Sequence, residues 1–368
     1  MHKHNRRELW RTPARARQPA EDRILSTNGK DAVAPQADRV QGRLMSKKPS
    51  CAVFALLCFC SALLTAHAAD AQRIRVGHFP NVTHVQGLVA HALSRSGKGW
   101  FEERLGPGVS VEWFVYNAGP SAMEAVFANS IDLTYVGPSP ALNAYAKSRG
   151  DEIRIVAGAA NGGAALVVQG DSNVKAPADF RGKKIATPQL GNTQDVSCRA
   201  WLTAGGLKIT QLGGDAQILP TQNPDQLSLF QQKQIDAVWT VEPWVSRLEM
   251  EAGGKVLVEE TDSPTTVLVA SAKFMKDQAD MAKKFAQAHR ELTDWIVQHP
   301  EEAQKLVTAE LAEETKSKVA AELVARAWKR IVLTNDVQRS ALDKFVASAK
   351  AAGFLRDAPD LGRLIVAP

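Results

Sequence analysis

From Arg73 onward the chain alternates short apolar runs with longer segments of helical period. RIRVGH (Arg73–His78) reads as a strand, followed by FPNVTH and a helix-periodic stretch, VQGLVAHALSRSG, that a glycine closes. VSVEWFVY (Val109–Tyr116) is a second strand, and NAGPS leads into the helix AMEAVFANS. SIDLTYV is a third strand and ALNAYAKS a helix. IRIVAGA (Ile153–Ala159) is a fourth strand. A second series follows. ALVVQG is a strand, KAPADFRGKKIATP a helical turn and a strand, and TQDVSCRAWLTAGGL a helix that ends at Gly205-Gly206. QILPT is a strand, DQLSLFQQKQ a helix, and IDAVWTVEPW closes the series. Short strands alternating with helices imply an α/β fold built on open, mostly parallel sheets.

Phe127–Ser139 (FANSIDLTYVGPS) and Phe230–Trp244 (FQQKQIDAVWTVEPW) both run helix end, Ile-Asp, strand, proline junction. This weak internal resemblance predicts two lobes of similar build. TTVLVAS (Thr265–Ser271) comes too late for the second series and is expected to return the chain to the first lobe, pairing with ALVV as a two-strand hinge. The expected layout is lobe 1 over 70–165 and 266–368, and lobe 2 over 166–265. From Lys273 on, FAQAHRELTDWIVQH, KVAAELVARAWKRI and SALDKFVASAKAAG read as amphipathic helices with Trp295 and Trp328 on their apolar faces.

The N-terminus breaks this pattern. Residues 1–44 are basic, proline-rich and aperiodic, and read as an upstream extension foreign to the working protein. At Met45 begins a different segment. Lys47 and Lys48 form a positive n-region, Cys51–Thr65 an apolar h-region, and Ala66-His67-Ala68 a small-x-small cleavage site. The apolar run falls short of the roughly 20 residues a membrane helix needs. Residues 45–68 are therefore expected to be a secretory signal peptide, giving a periplasmic protein that starts at Ala69.

Its removal changes the chain's character. Residues 1–69 hold 12 of the 45 Lys+Arg and 5 of the 39 Asp+Glu, leaving 33 basic against 34 acidic residues. The net charge of +6 belongs to the leader, so it is no argument for nucleic acid or anionic membranes. Of four cysteines only Cys198 remains, which rules out an internal disulfide in the processed chain.

Four strand-to-helix junctions carry polar or aromatic residues: Phe79–His84, Gly137–Pro140, Gly191–Asp195 and Thr240–Trp244. Ligands of open α/β sheets sit outside the C-terminal strand ends, where all four fall. At GPSP, Ser139 is expected at the N-cap with Pro140 first in the helix, leaving donors free for an anion. At GNTQD, Asn192 can cap the helix, with Asp195 three residues on and the Thr193 hydroxyl at the same end. A plain cap without ligand is the alternative at each junction taken singly. Two junctions in each expected lobe favour a cleft.

The blocks GHFPNVTH, NAGPSAMEAVFANSIDLTYVGPSPALN, AALVVQGDSNVKAPADFRGKKIATP and QIDAVWTVEPW, in this order, resemble the periplasmic substrate-binding proteins of ABC importers, in the nitrate/sulfonate/taurine branch. The resemblance covers nearly all of 73–305 and implies a two-lobed periplasmic-binding-protein fold of type II. It further implies a monomer without cofactor that captures a small oxyanion or sulfonate and docks on a permease with its ATPase. GNTQD and HFPNVTH depart from the branch's usual loops.

The candidate ligand-binding residues are Phe79, Asn81, Thr83, His84, Gly137, Ser139, Asn161, Gly163, Asn192, Thr193, Gln194, Trp239, Glu242 and Trp244. The four junctions contain no Lys or Arg, so N–H groups, hydroxyls and amides would hold the anion. Glu242 would suit an ammonium group, as in taurine, or would complement its own helix N-terminus. Trp239 and Trp244 can close over an alkyl chain, although the alternate strand position of Trp239 equally fits the core. Asn161-Gly162-Gly163 gives backbone room to a ligand, or is only a turn.

Sulfonates head the expected ligands, with nitrate or a thiamine-precursor pyrimidine as alternatives. An enzyme on the same fold is the rival class, but Ser139 lacks a G-x-S-x-G elbow and the histidines form no evident triad. A metal site is not expected, because His78, His84 and His91 are widely spaced and no Asp or Glu occurs within Gly77–Leu93.

Overall fold

The computed structural model describes residues 72–366; the expected extension, signal peptide and cleavage site lie outside them. Two sheets organise these residues. The first is ordered β13-β4-β12-β3-β1-β2 and the second β11-β5-β10-β6-β9. Strands β1 (Gln72–His78), β2 (Val109–Val115), β3 (Leu133–Val136), β4 (Ile153–Gly162), β12 (Pro264–Ser271) and β13 (Ile331–Leu333) make the first sheet. β5 (Ala164–Val168), β6 (Lys184–Thr187), β9 (Gln217–Pro220), β10 (Ala237–Val241) and β11 (Lys255–Glu260) make the second. A two-stranded ribbon, β7 (Ile209–Thr210) and β8 (Gly213–Gly214), stands apart.

Side-chain alternation explains why the central strands read as unbroken apolar runs. On β12, Leu268 and Ala270 enter one core while Val267 and Val269 enter another on the opposite face. On β5, Leu166 and Val168 face one way and Ala165 and Val167 the other. The edge strand β2 keeps only partial burial.

Helices cover both faces. α1 (Val85–Arg95), α2 (Trp100–Leu105), α9 (Ala279–Gln298), α10 (Pro300–Thr315) and α11 (Ala321–Trp328) contribute to one core of the first sheet, where Phe101 and Phe285 stack at 4.0 Å. Trp295 and Trp328 pack against it, partly buried. α3 (Gly119–Phe127), α4 (Pro138–Lys147) and α12 (Arg339–Ala351) cover the other face, while α8 (Ala272–Asp277) follows β12. In the second sheet α5 (Thr193–Ala204) takes one face, and α6 (Asn223–Gln231) and α7 (Trp244–Ala252) take the other.

Three features differ from the sequence expectation. β12 pairs with β4, antiparallel with Val267 opposite Gly158, and not with ALVV, which lies between β10 and β11 inside the second sheet. The sheets are mixed. β1, β2 and β3 run parallel, as do β10, β6 and β9, but strands joined to the inter-sheet crossings run antiparallel. Ile331–Leu333 is a strand paired with β4 rather than a helix end, since three β-branched or apolar residues find an open sheet edge there.

The chain crosses between sheets at Gly162–Gly163 and again over residues 261–263, where the Gly162 N–H donates to the Ser263 carbonyl at 2.9 Å. Gly162 and Gly163 have φ of 73° and 74°, and a Cβ on Gly162 would lie 2.4 Å from the Arg330 carbonyl oxygen. Only glycine satisfies both demands. No described helix is long and apolar enough to cross a membrane.

Candidate ligand-binding cleft

Strand-end turns and helix N-termini from both sheets converge on one small cavity. It is lined by Phe79, Asn81, Thr83 and His84 after β1, by Asn117–Gly119 after β2, and by Gly137 and Pro140 after β3. Facing them are Pro188, Asn192, Thr193 and Gln194 after β6, Asn223 after β9, Val241 at the end of β10, and Thr265 on β12. The room open to the centre of a water molecule is about 20 Å³, on the order of one or two waters. The cleft is nearly shut in this conformation.

Its chemistry follows from the helix ends. Gly119 is the first residue of α3, Thr193 and Gln194 the first two of α5, and Asn223 the first of α6. First-turn N–H groups have no partner within their own helix, and the dipoles add positive potential. Three helix N-termini from two lobes thus meet at one cavity that no Lys, Arg, Asp or Glu lines.

Local bonds hold the loops in place. The Asn192 side chain caps α5 by accepting from the Asp195 N–H at 2.8 Å. Buried Asp195 accepts from the Thr187 hydroxyl at 2.9 Å, the Gly191 N–H at 2.9 Å and Arg199 Nε at 3.0 Å. Its charge therefore serves the loop and not a ligand. Bonds also span the lobes. Ser139 N–H approaches Thr193 Oγ1 at 3.4 Å, Trp244 Nε1 donates to Asn81 Oδ1 at 3.1 Å, and Val82 N–H donates to the Glu242 carbonyl at 2.9 Å.

Phe79, Asn81, Thr83, His84, Gly137, Asn192, Thr193 and Gln194 line the cavity among the expected residues. His84 lies against Phe79 at a centroid distance of 4.3 Å, and its buried Nδ1 has no partner. Burial, with His78 adding to it, pushes its pKa well below the usual histidine range, so the ring is neutral.

The remaining six are placed elsewhere. Ser139 is not the cap: Gly137 is, Pro138 opens α4, and the Ser139 hydroxyl is buried without a partner. Pro138 and Pro140 remove two donors and Ser139 N–H already faces Thr193, so the α4 terminus offers an anion little. Trp239 packs in the core with Trp201 and donates to Glu260 at 3.0 Å. Glu242 turns from the cavity, accepting from the Ser246 N–H and hydroxyl at 3.1 and 2.9 Å and pairing with Arg330 at 3.0 Å. Trp244 stands behind Asn81, and Asn161 and Gly163 belong to the crossing rather than the cavity lining.

Eight lining residues are not among the candidates: Pro140 and Val241, which lie within junctions named from the sequence, and Asn117–Gly119, Pro188, Asn223 and Thr265, which do not. The signal existed for two of them: NAGPS and TQNP are also strand-to-helix junctions with a helix-opening proline.

The sequence model of the NMT1-like family matches residues 67–312, well over half of the chain. The chain belongs to the NMT1-like family. Among its relatives, a putative aliphatic sulfonates-binding protein of Bacillus subtilis is 29% identical over 243 residues, covering 64% of this chain and 68% of that one. The taurine-binding periplasmic protein of Escherichia coli is 28% identical over 187 residues, 49% of this chain and 56% of its own length. The family member's fold matches solved structures. The alkanesulfonate-binding protein SsuA of Xanthomonas axonopodis pv. citri aligns with a TM-score of 0.63 at 20% identity, over 82% of this chain and 98% of that one. The nitrate-binding protein NrtA of Synechocystis aligns at 0.64 and 15% identity, over 80% and 86%. These likenesses establish the periplasmic-binding-protein fold.

Proposed function

We propose that the protein is an exported solute-binding component of an ABC importer that captures a small sulfonate or related oxyanion between its lobes and delivers it to a membrane permease. The convergence of three helix N-termini on a cavity without charged side chains carries this reading. Such a site offers oriented N–H donors to an anion and leaves its charge to the helix dipoles. The relatives named for sulfonate and taurine binding agree with it. Periplasmic location and removal of a leader at Ala68 belong to the same proposal.

With Glu242 paired to Arg330, no described carboxylate lines the cavity for an ammonium group. Charge alone therefore does not favour a zwitterion over a plain alkanesulfonate. The small cavity also suits a compact ion such as nitrate. A thermal-shift screen against alkanesulfonates, taurine, nitrate and thiamine-precursor pyrimidines tests the proposal. A ligand at a hundred times its Kd adds about 2.7 kcal/mol of stability. Stabilisation by pyrimidines alone would overturn it.

A further inference from the structure

Away from the cleft lining, three elements of the first lobe bring together two imidazoles and two carboxylates. His78 ends β1, His91 lies on α1, and Glu310 and Glu314 lie on α10. His78 Nε2 is 3.0 Å from Glu314 Oε1 and 3.1 Å from His91 Nδ1, and His91 Nδ1 is 3.0 Å from the same Glu314 oxygen. Glu310 Oε1 is 2.9 Å from His91 Nδ1. The side chains of His78, Glu310 and Glu314 are at most 2% exposed, and Trp113 walls the cluster at 5.4 Å from both imidazoles.

We propose that this cluster binds a divalent transition-metal ion of the zinc class, through His78 Nε2, His91 Nδ1 and Glu314 Oε1, with the fourth position left to solvent. Ligands at about 2.0–2.1 Å around a tetrahedral ion lie about 3.3 Å apart. The nearly equilateral triangle seen here needs to open by only a few tenths of an ångström. Two ring nitrogens converge on one carboxylate oxygen, while Glu314 Oε2 and His78 Nδ1 stay buried without partners. Imidazole with carboxylate suits zinc-like ions, whereas magnesium and calcium prefer all-oxygen sites. Although burial opposes it, the bonds from His91 and Arg95 lower the Glu310 pKa, and those from His78 and His91 lower that of Glu314. The spacing of the histidines alone gave no such site because both acids arrive from more than two hundred residues downstream.

Arg95 is the built-in competitor. Its Nη2 lies 3.1 Å from His91 Nε2. Arginine only donates, so in this arrangement Nε2 accepts and Nδ1 carries the ring proton. A metal on Nδ1 requires the other tautomer, with the proton on Nε2 and the Arg95 guanidinium turned away. That side chain is 45% exposed and is held by Glu310 at 2.8 and 3.2 Å, so turning it away from His91 Nε2 also strains or breaks this pair. An ion here would tie β1, α1 and α10 together one residue before Phe79, which lines the cleft.

The test is titration of chelator-stripped full chain with Zn²⁺ alone by calorimetry, and with Co²⁺ by visible absorption, against Mg²⁺. Thiols and histidines of the leader contribute equally to parent and variants. Glu314→Gln and His91→Gln should each lose one equivalent, or bind it more weakly than the roughly 10–100-fold that loss of an outer partner causes. His299→Gln, an exposed control, should keep it. Arg95→Gln should bind tighter, an effect that a merely structural ion pair would not produce. Full stoichiometry and affinity in both Glu314→Gln and His91→Gln would overturn the site, as would unchanged or weaker binding in Arg95→Gln. If Glu314→Gln fails to fold, position 95, which is 45% exposed, and position 91, at the cluster's 13% exposed rim, still decide.

Discussion

Replacing Arg330 by Met tests what holds the two lobes together behind the cleft. Arg330 lies between α11 and β13, against the first sheet, while its partners Glu242, Glu249 and Glu259 belong to second-lobe segments. Glu242 is fully buried. Burial pushes its pKa up, and the bonds from Ser246 and Arg330 offset that only in part. Removing one partner of a buried pair costs roughly 3–5 kcal/mol. Arg330 is 17% exposed and Glu242 retains its two Ser246 bonds, so we expect the lower end, about 3 kcal/mol, at pH 8.

The pH dependence separates this cause from lost packing. A carboxyl whose folded pKa is raised favours folding below its unfolded value and loses that contribution as pH climbs through the folded pKa. Without Arg330 the Glu242 pKa rises further, so the variant's penalty should be small near pH 4.5 and grow toward pH 8. Glu249 acts in the same direction. Burial raises its pKa but Arg330 and Arg326 more than offset it, and loss of that depression costs stability above its unfolded value. Urea unfolding of parent and variant at pH 5 and pH 8 reads the difference, and Glu242→Gln in the same chain should recover much of the pH 8 loss. An equal penalty at both pH values would refute an unpaired Glu242 as the cause.

Gly137→Ala keeps a permitted backbone, but its Cβ would fall 2.3 Å from Thr193 Oγ1, so ligand affinity should drop with little change in Tm. Retained affinity by calorimetry would show that the lobes do not close on this contact. Glu242→Gln should leave the ratio of taurine to ethanesulfonate affinities unchanged, whereas a selective loss of taurine would return the carboxylate to the site. Burial lowers His289 to about 4 and His84 well below the usual value, so both favour the fold above about pH 6.5 and withdraw that support as pH falls. His289→Gln should therefore flatten the stability profile between pH 6.5 and 4; an unchanged slope would contradict its neutral burial.

The fold was readable because each central strand is a short apolar run and each junction carries a proline or glycine. What could not be read was partnership. ALVV and IRIVAGA are equally apolar, and only tertiary pairing makes β4, not β5, the companion of β12. The cleft was half readable for the same reason. Junction residues such as Thr193 and Asn192 announce themselves by cap chemistry. The direction in which Glu242 or Trp239 points depends on Arg330, Ser246 and Trp201, which lie in other segments. Ser139 was misplaced by two residues because Pro138 and Pro140 each fit a first helical position, and Pro138 takes it.

The central claim is that first-turn donors of both lobes, the Thr193 hydroxyl among them, hold a small oxyanion. Calorimetric titration of the exported chain and of Thr193→Val with short alkanesulfonates and nitrate tests it most directly. The account predicts one site per chain with micromolar or tighter affinity for at least one of these ions. In the variant that affinity should weaken by roughly 1.5–3 kcal/mol, about ten- to more than a hundredfold. Absence of binding by every ion, or equal affinity in parent and variant, would contradict it.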